Sequence, residues 1–203
     1  MGAVPPVPVP SVAADPQPDD TVAVIGQGPI GLMFTMLARR TGARVLATDT
    51  IGSRLELARR FGAETAIDPR SEDLVAAARS LSGGRGADLV FVAVSASGVV
   101  EQAVRCSRPG AKILLFSQTS DKERVEVSGA DICVGERTIF GSYSASVDLQ
   151  KESAGLVFGD GLPLEELISH RLPLDQIDSG FRMARYPDER SLKIIVQPQR
   201  WTS

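Results

Sequence analysis

The chain has 203 residues, 43% apolar and 23% charged, and a formal net charge of −3. That composition excludes fibrous and wholly disordered classes and leaves length for one well-cored domain plus further elements. No apolar run reaches the ~20 residues of a membrane span, no basic stripe points to nucleic acid or anionic lipid, and two cysteines imply no disulfide framework.

Residues 1–20 hold six of the thirteen prolines, no aromatic residue and no period. They read as a disordered, Pro-rich leader. Their acids, Asp15, Asp19 and Asp20, account for the whole net charge, because 25 acids less these three leaves 22 against 22 bases. The first basic residue is Arg39, so no charged secretory n-region is expected, and a reduced, cytoplasmic setting is the default.

Val22 to Ile25 then forms a short apolar strand, followed at once by Gly26-Gln27-Gly28-Pro29-Ile30-Gly31. Gly26 allows a sharp turn, Gly28 lets a pyrophosphate approach the backbone, and Gly31 lets the next helix pack close to the strand. Phosphates would sit on the free N–H groups at the helix start, where Pro29 suits the first position. A second strand, Arg44 to Thr48, ends at Asp49. This acid lies 18 residues past Gly31, near the ~20 expected of a carboxylate that holds adenosine ribose hydroxyls. Strand, glycine turn, helix, strand and acid together signal dinucleotide binding far more strongly than the glycines alone.

The pattern continues with a helix over 52–61, a strand over 63–67 and an amphipathic helix over 74–81. The strand 88–94 is apolar after its first residue, as a parallel strand covered on both faces should be. Its last residues, Val94 and Ser95 just beyond, fall where open sheets bind ligands. Ser97 is placed to cap the next helix, Pro109-Gly110 to turn the chain, and 112–116 to form the fifth strand. A short helix over 129–135 and a strand over 137–142 complete six strand–helix alternations. The expected fold is α/β, a Rossmann-type doubly wound, six-stranded parallel sheet with helices on both faces and strand order 3-2-1-4-5-6. A C-terminal α/β extension follows: helix 147–158, short helix 164–167, extended 170–173, helix 174–185 and strand 192–196. The expected domains are the leader 1–20, a dinucleotide-binding domain 21–158 and a C-terminal segment 159–203.

GQGPIGL (26–32), GADLVFVAVS (86–95), RPGAKILLF (108–116), ERTIFGSYSAS (136–146) and ISHRLPLDQIDSGFRMA (168–184) with LKIIVQP (192–198) resemble the zinc-type medium-chain alcohol dehydrogenases, in their polyol and threonine dehydrogenase branch. The resemblance spans residues 21–198. It implies NAD as cofactor, with Gly26, Gly28, Pro29, Ile30 and Gly31 on the pyrophosphate and Asp49 on both ribose hydroxyls. A carboxylate at position 49 repels a 2′-phosphate and so favours NAD over NADP. By the same resemblance Arg54 lies along the adenosine edge, Ile139 to Gly141 meet the nicotinamide amide, and Lys193 reaches the pyrophosphate.

The family's catalytic domain, with its Cys, His and acidic zinc ligands, precedes this region and is not in the sequence. The chain has one His and two Cys. A four-cysteine site is impossible, and neither a catalytic residue nor a metal ligand is assigned. Cys106 and Cys133 read as small buried side chains, and His170 as structural. Leu192 to Val196, lacking the family's partner, is expected to be an exposed apolar edge strand.

The expected function is the NAD-binding portion of an alcohol or polyol oxidoreductase, inactive without a zinc catalytic domain that a separate chain would carry. A homodimer through the edge near 138–142 is plausible. A stand-alone nucleotide-binding or sensing module is the alternative. A methyltransferase using S-adenosylmethionine fits less well, because Gly31 and the C-terminal half follow the dehydrogenase pattern. A short-chain dehydrogenase is excluded by the lack of Tyr-x-x-x-Lys: Tyr143 is followed by Val147 and Tyr186 by Arg190.

Overall fold

A computed structural model describes residues 14–117, 124–142, 150–159 and 162–198. The chain divides into two compact units, Met1–Ser153 and Ala154–Ser203.

The first unit alternates strand and helix: β1 (Thr21–Ile25), α1 (Pro29–Arg40), β2 (Arg44–Thr48), α2 (Gly52–Arg60), β3 (Thr65–Ile67), α3 (Leu74–Leu81), β4 (Ala87–Val92), α4 (Val99–Cys106), β5 (Ser107–Leu115), α5 (Gly129–Cys133) and β6 (Thr138–Gly141). The six strands form one parallel sheet in the order β3-β2-β1-β4-β5-β6. The order reverses between β1 and β4, which opens a crevice at the carboxyl ends of these two strands.

Alternation along the strands feeds two cores. Ala23, Ile25, Leu46, Val90, Val92 and Ile113 pack with Leu74, Ala78 and Leu81 of α3 and Val99, Ala103 and Val104 of α4. Their neighbours point to the opposite face, where Phe91 stacks on Phe34 of α1 with ring centroids 4.4 Å apart. Helices therefore cover both faces, and every residue of β1 and β4 is buried. α3 starts where Asp73 accepts the N–H groups of Val75 and Ala76 at 2.8 and 3.3 Å, a side-chain cap that satisfies two orphan donors.

Three expectations are corrected. Gly98, in the left-handed region at φ +78°, precedes α4 with no side-chain cap, so Ser97 does not cap it. Pro109 and Gly110 lie within β5, which begins at Ser107. The register jumps from Ala87↔Ser107 to Leu89↔Lys112, so these residues bulge out of the ladder without ending it. The Pro-rich leader is not unstructured to its end. Residues 14–20 form a turn in which Ala14 is buried, Gln17 N–H donates to Asp20 at 2.8 Å and Asp19 N–H donates to the Gly42 carbonyl at 3.3 Å. The rest of the leader, 1–13, lies outside the described residues, as do 147–149 of the expected helix.

The amino edge of the sheet is tied by one carboxylate. Asp88, at the start of β4, is buried. It accepts the Thr21 N–H at 2.8 Å and a short bond from the Arg108 guanidinium.

α6 (Gln150–Phe158) carries the boundary between the units. The second unit then has a 3-10 turn over Leu164–Leu167, β7 (Ile168–Pro173), a 3-10 turn over Leu174–Gln176, α7 (Ile177–Arg185) and β8 (Lys193–Gln197). β8 pairs in parallel with β7, and Ile194, Ile195 and Val196 are half-buried. Gly180 of α7 sits against Leu172, Ile194 and Val196. β8 is thus an edge strand as expected, but it is paired on one side and half-buried, and apolar exposure among the described residues of this unit falls on side chains such as Phe158 of α6, Leu174, and Phe181 and Tyr186 at α7. Ser169 accepts the Leu192 N–H at 2.9 Å, donates to the Lys193 carbonyl at 3.1 Å and lies 2.9 Å from His170 Nδ1. That network gives His170 a structural part. No helix among the described residues is long and apolar enough to cross a membrane.

Phe91 is nearly inaccessible and joins both β4 and α1. Phe91→Ala is expected to lower the free energy of unfolding by about 3–5 kcal/mol, read as a fall in the midpoint of chemical denaturation. A change below about 1 kcal/mol would show that the α1 face of the sheet does not depend on this ring pair.

Candidate dinucleotide site

The turn between β1 and α1 is set by a close approach. Gly26 has φ +91°, and a Cβ placed on it would lie 2.8 Å from the Val94 Cβ. A Cβ on Gly31 would lie 1.7 Å from the Gly26 carbonyl oxygen. Both positions therefore admit only glycine, for reasons internal to the fold. Gly28 differs. Its backbone is extended, and a Cβ there would meet nothing within 4 Å. No demand of the protein explains this glycine, whereas space for an approaching ligand does. α1 starts beside it with Pro29 in its first turn, no side-chain cap and no acidic residue there. The positive end of the helix is thus open to an anion.

Sequence reasoning missed what holds this turn. Gln27 is fully buried. Its Nε2 donates to the Val24 carbonyl at 3.0 Å, and its Oε1 accepts from the Thr35 hydroxyl of α1 at 2.9 Å. The side chain thereby pins the loop to both flanking elements. The Gln27 N–H then donates to Asp49 Oδ2 at 2.6 Å. The other carboxylate oxygen, Oδ1, accepts the Ile51 N–H at 2.9 Å. Asp49 is 9% exposed and follows β2 directly. Each oxygen of a carboxylate has two lone pairs, so one acceptor position on each remains for hydroxyl donors. The signal was present: a polar residue inside the glycine turn and a Thr eight positions on, within an otherwise apolar helix.

The structure brings Gly26, Gly28, Pro29, Ile30, Gly31 and Asp49 to one edge. Ile30 is exposed on the rim. Arg54, in the first turn of α2, places Nη1 3.8 Å from Asp49 Oδ2. Val94 touches Gly26, and both Val94 and Ser95 are exposed. Gly141 ends β6 opposite Leu115, at the same carboxyl edge. Ile139 sits lower, paired with Ile113 and packed against the core. Lys193 opens β8 in the second unit and is exposed.

Residues 29–157 match the zinc-binding dehydrogenase family. The chain belongs to that family. An alcohol dehydrogenase of Cupriavidus necator (strain H16) is 30% identical over 88% of this chain. An L-threonine 3-dehydrogenase of Anaeromyxobacter sp. (strain Fw109-5) is 32% identical over 82%. These alignments cover 50% and 48% of the two relatives, so the chain spans about half their length. Among solved structures, the alcohol dehydrogenase TADH from Thermus sp. ATN1 superposes with a TM-score of 0.82 at 30% identity, over 93% of this chain and 54% of that one. An alcohol dehydrogenase from E. coli CFT073 (TM-score 0.80, 25% identity, 91% and 54% covered) is complexed with NADH. A zinc-binding dehydrogenase from Sinorhizobium meliloti 1021 (TM-score 0.82, 27% identity, 90% and 54% covered) is bound to NADP. Structural relatives of this dehydrogenase-like chain thus hold nicotinamide dinucleotides of both kinds.

The family's metal finds no fit in the described residues. No three His, Cys, Asp or Glu side chains gather there. Cys106 ends α4, and burial pushes its thiol up to about 12. An enclosed, protonated thiol is a poor zinc ligand. Cys133 ends α5 and is exposed, so the expectation that both cysteines are buried holds for Cys106 only.

Two outcomes follow. At pH 8 a thiol reagent should modify Cys133 in the folded protein and Cys106 only after denaturant is added; two thiols reacting without denaturant would contradict the burial of Cys106. The folded pKa of Cys106 is raised above its ordinary 9.0, so its contribution to stability is present below that value and is lost as pH climbs from 9 towards 12.

Gly28 and Gly31 should also separate. Gly28→Ala is expected to keep the fold, at a cost under about 1 kcal/mol for the poorer cap. Gly31→Ala should lower the melting temperature sharply, because it forces α1 away from β1. Equal melting temperatures for the two variants would refute the close approach.

Proposed function

We propose that this chain binds NAD across the carboxyl edge of its six-stranded sheet and serves as the cofactor-binding portion of an alcohol or polyol oxidoreductase. One observation carries the reading. Gly28 is a glycine that the fold does not need, placed at the open end of α1 and beside a carboxylate held by the same loop.

Gly26, Gly28, Pro29, Ile30 and Gly31 would cradle the pyrophosphate, with backbone N–H groups and the helix dipole opposing its charge. Asp49 would take the adenosine ribose hydroxyls on its two remaining acceptor positions, and Arg54 would lie along the adenosine edge. Val94 and Ser95 would line the crevice, and Ile139 to Gly141 would meet the nicotinamide amide. NAD, when bound, supplies the hydride acceptor. The chain's own part is to bind it and orient it.

Substrate chemistry would come from a zinc-bearing catalytic domain on a separate chain, working with this one in the cytoplasm. The outer edge of β6, unpaired among the described residues, offers a route to a homodimer.

Calorimetry on the purified chain tests the reading, with NAD, NADP and S-adenosylmethionine as ligands. NAD should bind with a micromolar Kd, in the ordinary range for a small-molecule site of about −8 kcal/mol. Asp49→Ala and Gly28→Ala should each weaken it at least about tenfold, a loss of roughly 1.4 kcal/mol, while leaving the fold intact. Tighter binding of S-adenosylmethionine, or no binding of any ligand, would refute the proposal.

A further inference from the structure

The ribose carboxylate does not stand alone. β2 and β3 run side by side, Thr48 opposite Ile67, so Asp49 and Asp68 emerge next to each other at the carboxyl edge. Two guanidinium groups meet them. Arg54 Nη1 lies 3.8 Å from Asp49. Arg70 reaches across from the β3–α3 loop, and its Nη2 donates to the Thr50 carbonyl at 2.6 Å, one residue beyond Asp49. A 2′-phosphate on a ribose held by Asp49 would lie over the loop that follows β2. Two arginines therefore stand where a phosphate would be welcomed, and repulsion by Asp49 does not by itself decide between the two dinucleotides.

Asp68 changes what Arg70 can do. Its carboxylate takes the guanidinium fork: Nε at 3.0 Å to Oδ1 and 3.1 Å to Oδ2, and Nη2 at 2.6 Å to Oδ2. That fork is the face a phosphate would engage in bidentate fashion. Asp68 Oδ1 also accepts the Arg70 backbone N–H at 2.9 Å, which fixes the turn. Arg70 is 66% exposed, so nothing but Asp68 and the Thr50 carbonyl occupies its guanidinium among these contacts. The hydrogen bond from Arg70 holds the Asp68 carboxyl below its ordinary range, so it stays ionised at neutral pH. Counted as formal charges, Asp49, Asp68, Arg54 and Arg70 sum to zero, and Glu72, which accepts the Asp68 N–H at 3.4 Å, brings the cluster to −1.

We propose that Asp68 is a second determinant of NAD over NADP, a positioning residue that acts by occupying Arg70 beside the ribose. The inference rests on the dinucleotide-binding function proposed above. It locates selectivity in a pair of residues just after β3 as well as in the acid just after β2. Removing the Asp68 charge makes the surroundings of the ribose one unit more positive and frees the Arg70 fork. Removing Arg70 makes them one unit more negative. Removing both restores the wild-type sum.

The test is the ratio of Kd for NADP to Kd for NAD, measured by calorimetry on the full chain. Asp68→Asn keeps the turn's acceptor and deletes the charge, and it should lower the ratio about tenfold, the worth of one charge-assisted contact. Arg70→Ala should raise the ratio. The double variant should return it to near the wild-type value. A merely structural role would not drive the two single variants in opposite directions. If either variant fails to fold, the other decides alone, by falling or rising as stated. A ratio that does not move, or moves the same way in both, overturns the inference while NAD binding by wild type stands. Wild type that binds neither dinucleotide overturns the proposed function and this inference with it.

Discussion

The carbonyl of Gly26 and the α-carbon of Gly31 come so close that no side chain fits between them. The rest of the carboxyl edge depends on this contact. It fixes where α1 starts relative to β1, and so where the helix presents its unsatisfied N–H groups. It also turns Gln27 inward, where the amide side chain bonds to Val24 and Thr35 while its backbone N–H points at Asp49. One steric constraint thereby aligns the uncapped start of α1 with a carboxylate that follows a different strand. A buried amide with its partners satisfied is well suited to this task, because any slip would leave polar groups unpaired in an apolar core.

Much of this was legible before any coordinates. The strand order followed from the crossover rule and the glycine turn. The apolar run of β4 gave away its burial on both faces. That an acid directly follows β2 was readable from its spacing to Gly31, though its bond to the Gln27 N–H was not. What escaped were features that depend on pairs of residues meeting across the fold. Gln27 and Thr35 look unremarkable apart, and only α1 laid against the turn makes them partners. Asp68 and Arg70 form a common turn sequence, and nothing local says that Arg70 reaches Thr50 on a neighbouring connection. Pro109-Gly110 is an ordinary stop signal, yet the ladder resumes beyond it because Arg108 is anchored to Asp88 and Gly110 N–H bonds to the Gly135 carbonyl at 2.8 Å. Local breaker chemistry was overruled by tertiary bonds.

The second unit shows the same limit from the other side. Its apolar strand was expected to lie bare, on the argument that its usual neighbour is not in the sequence. β7 supplies a neighbour from nearby in the chain, and Gly180 lets α7 come down onto the pair. Sequence distance concealed a partner that the fold had at hand. The apolar surface left over lies on side chains outside the strand pair, Phe158, Leu174, Phe181 and Tyr186 among them.

The knot at Asp88 has a consequence for how this domain tolerates change. Thr21, which it grips, opens β1, and Gly26, which opens the glycine turn, lies just past its other end, about 16 Å away at the usual rise per strand residue. Perturbations that far apart, without shared partners, combine additively. The amino edge is thus a reserve of rigidity insulated from recognition. An engineer could harden the domain there, or evolution could loosen it, without retuning affinity at the far end of the same strands.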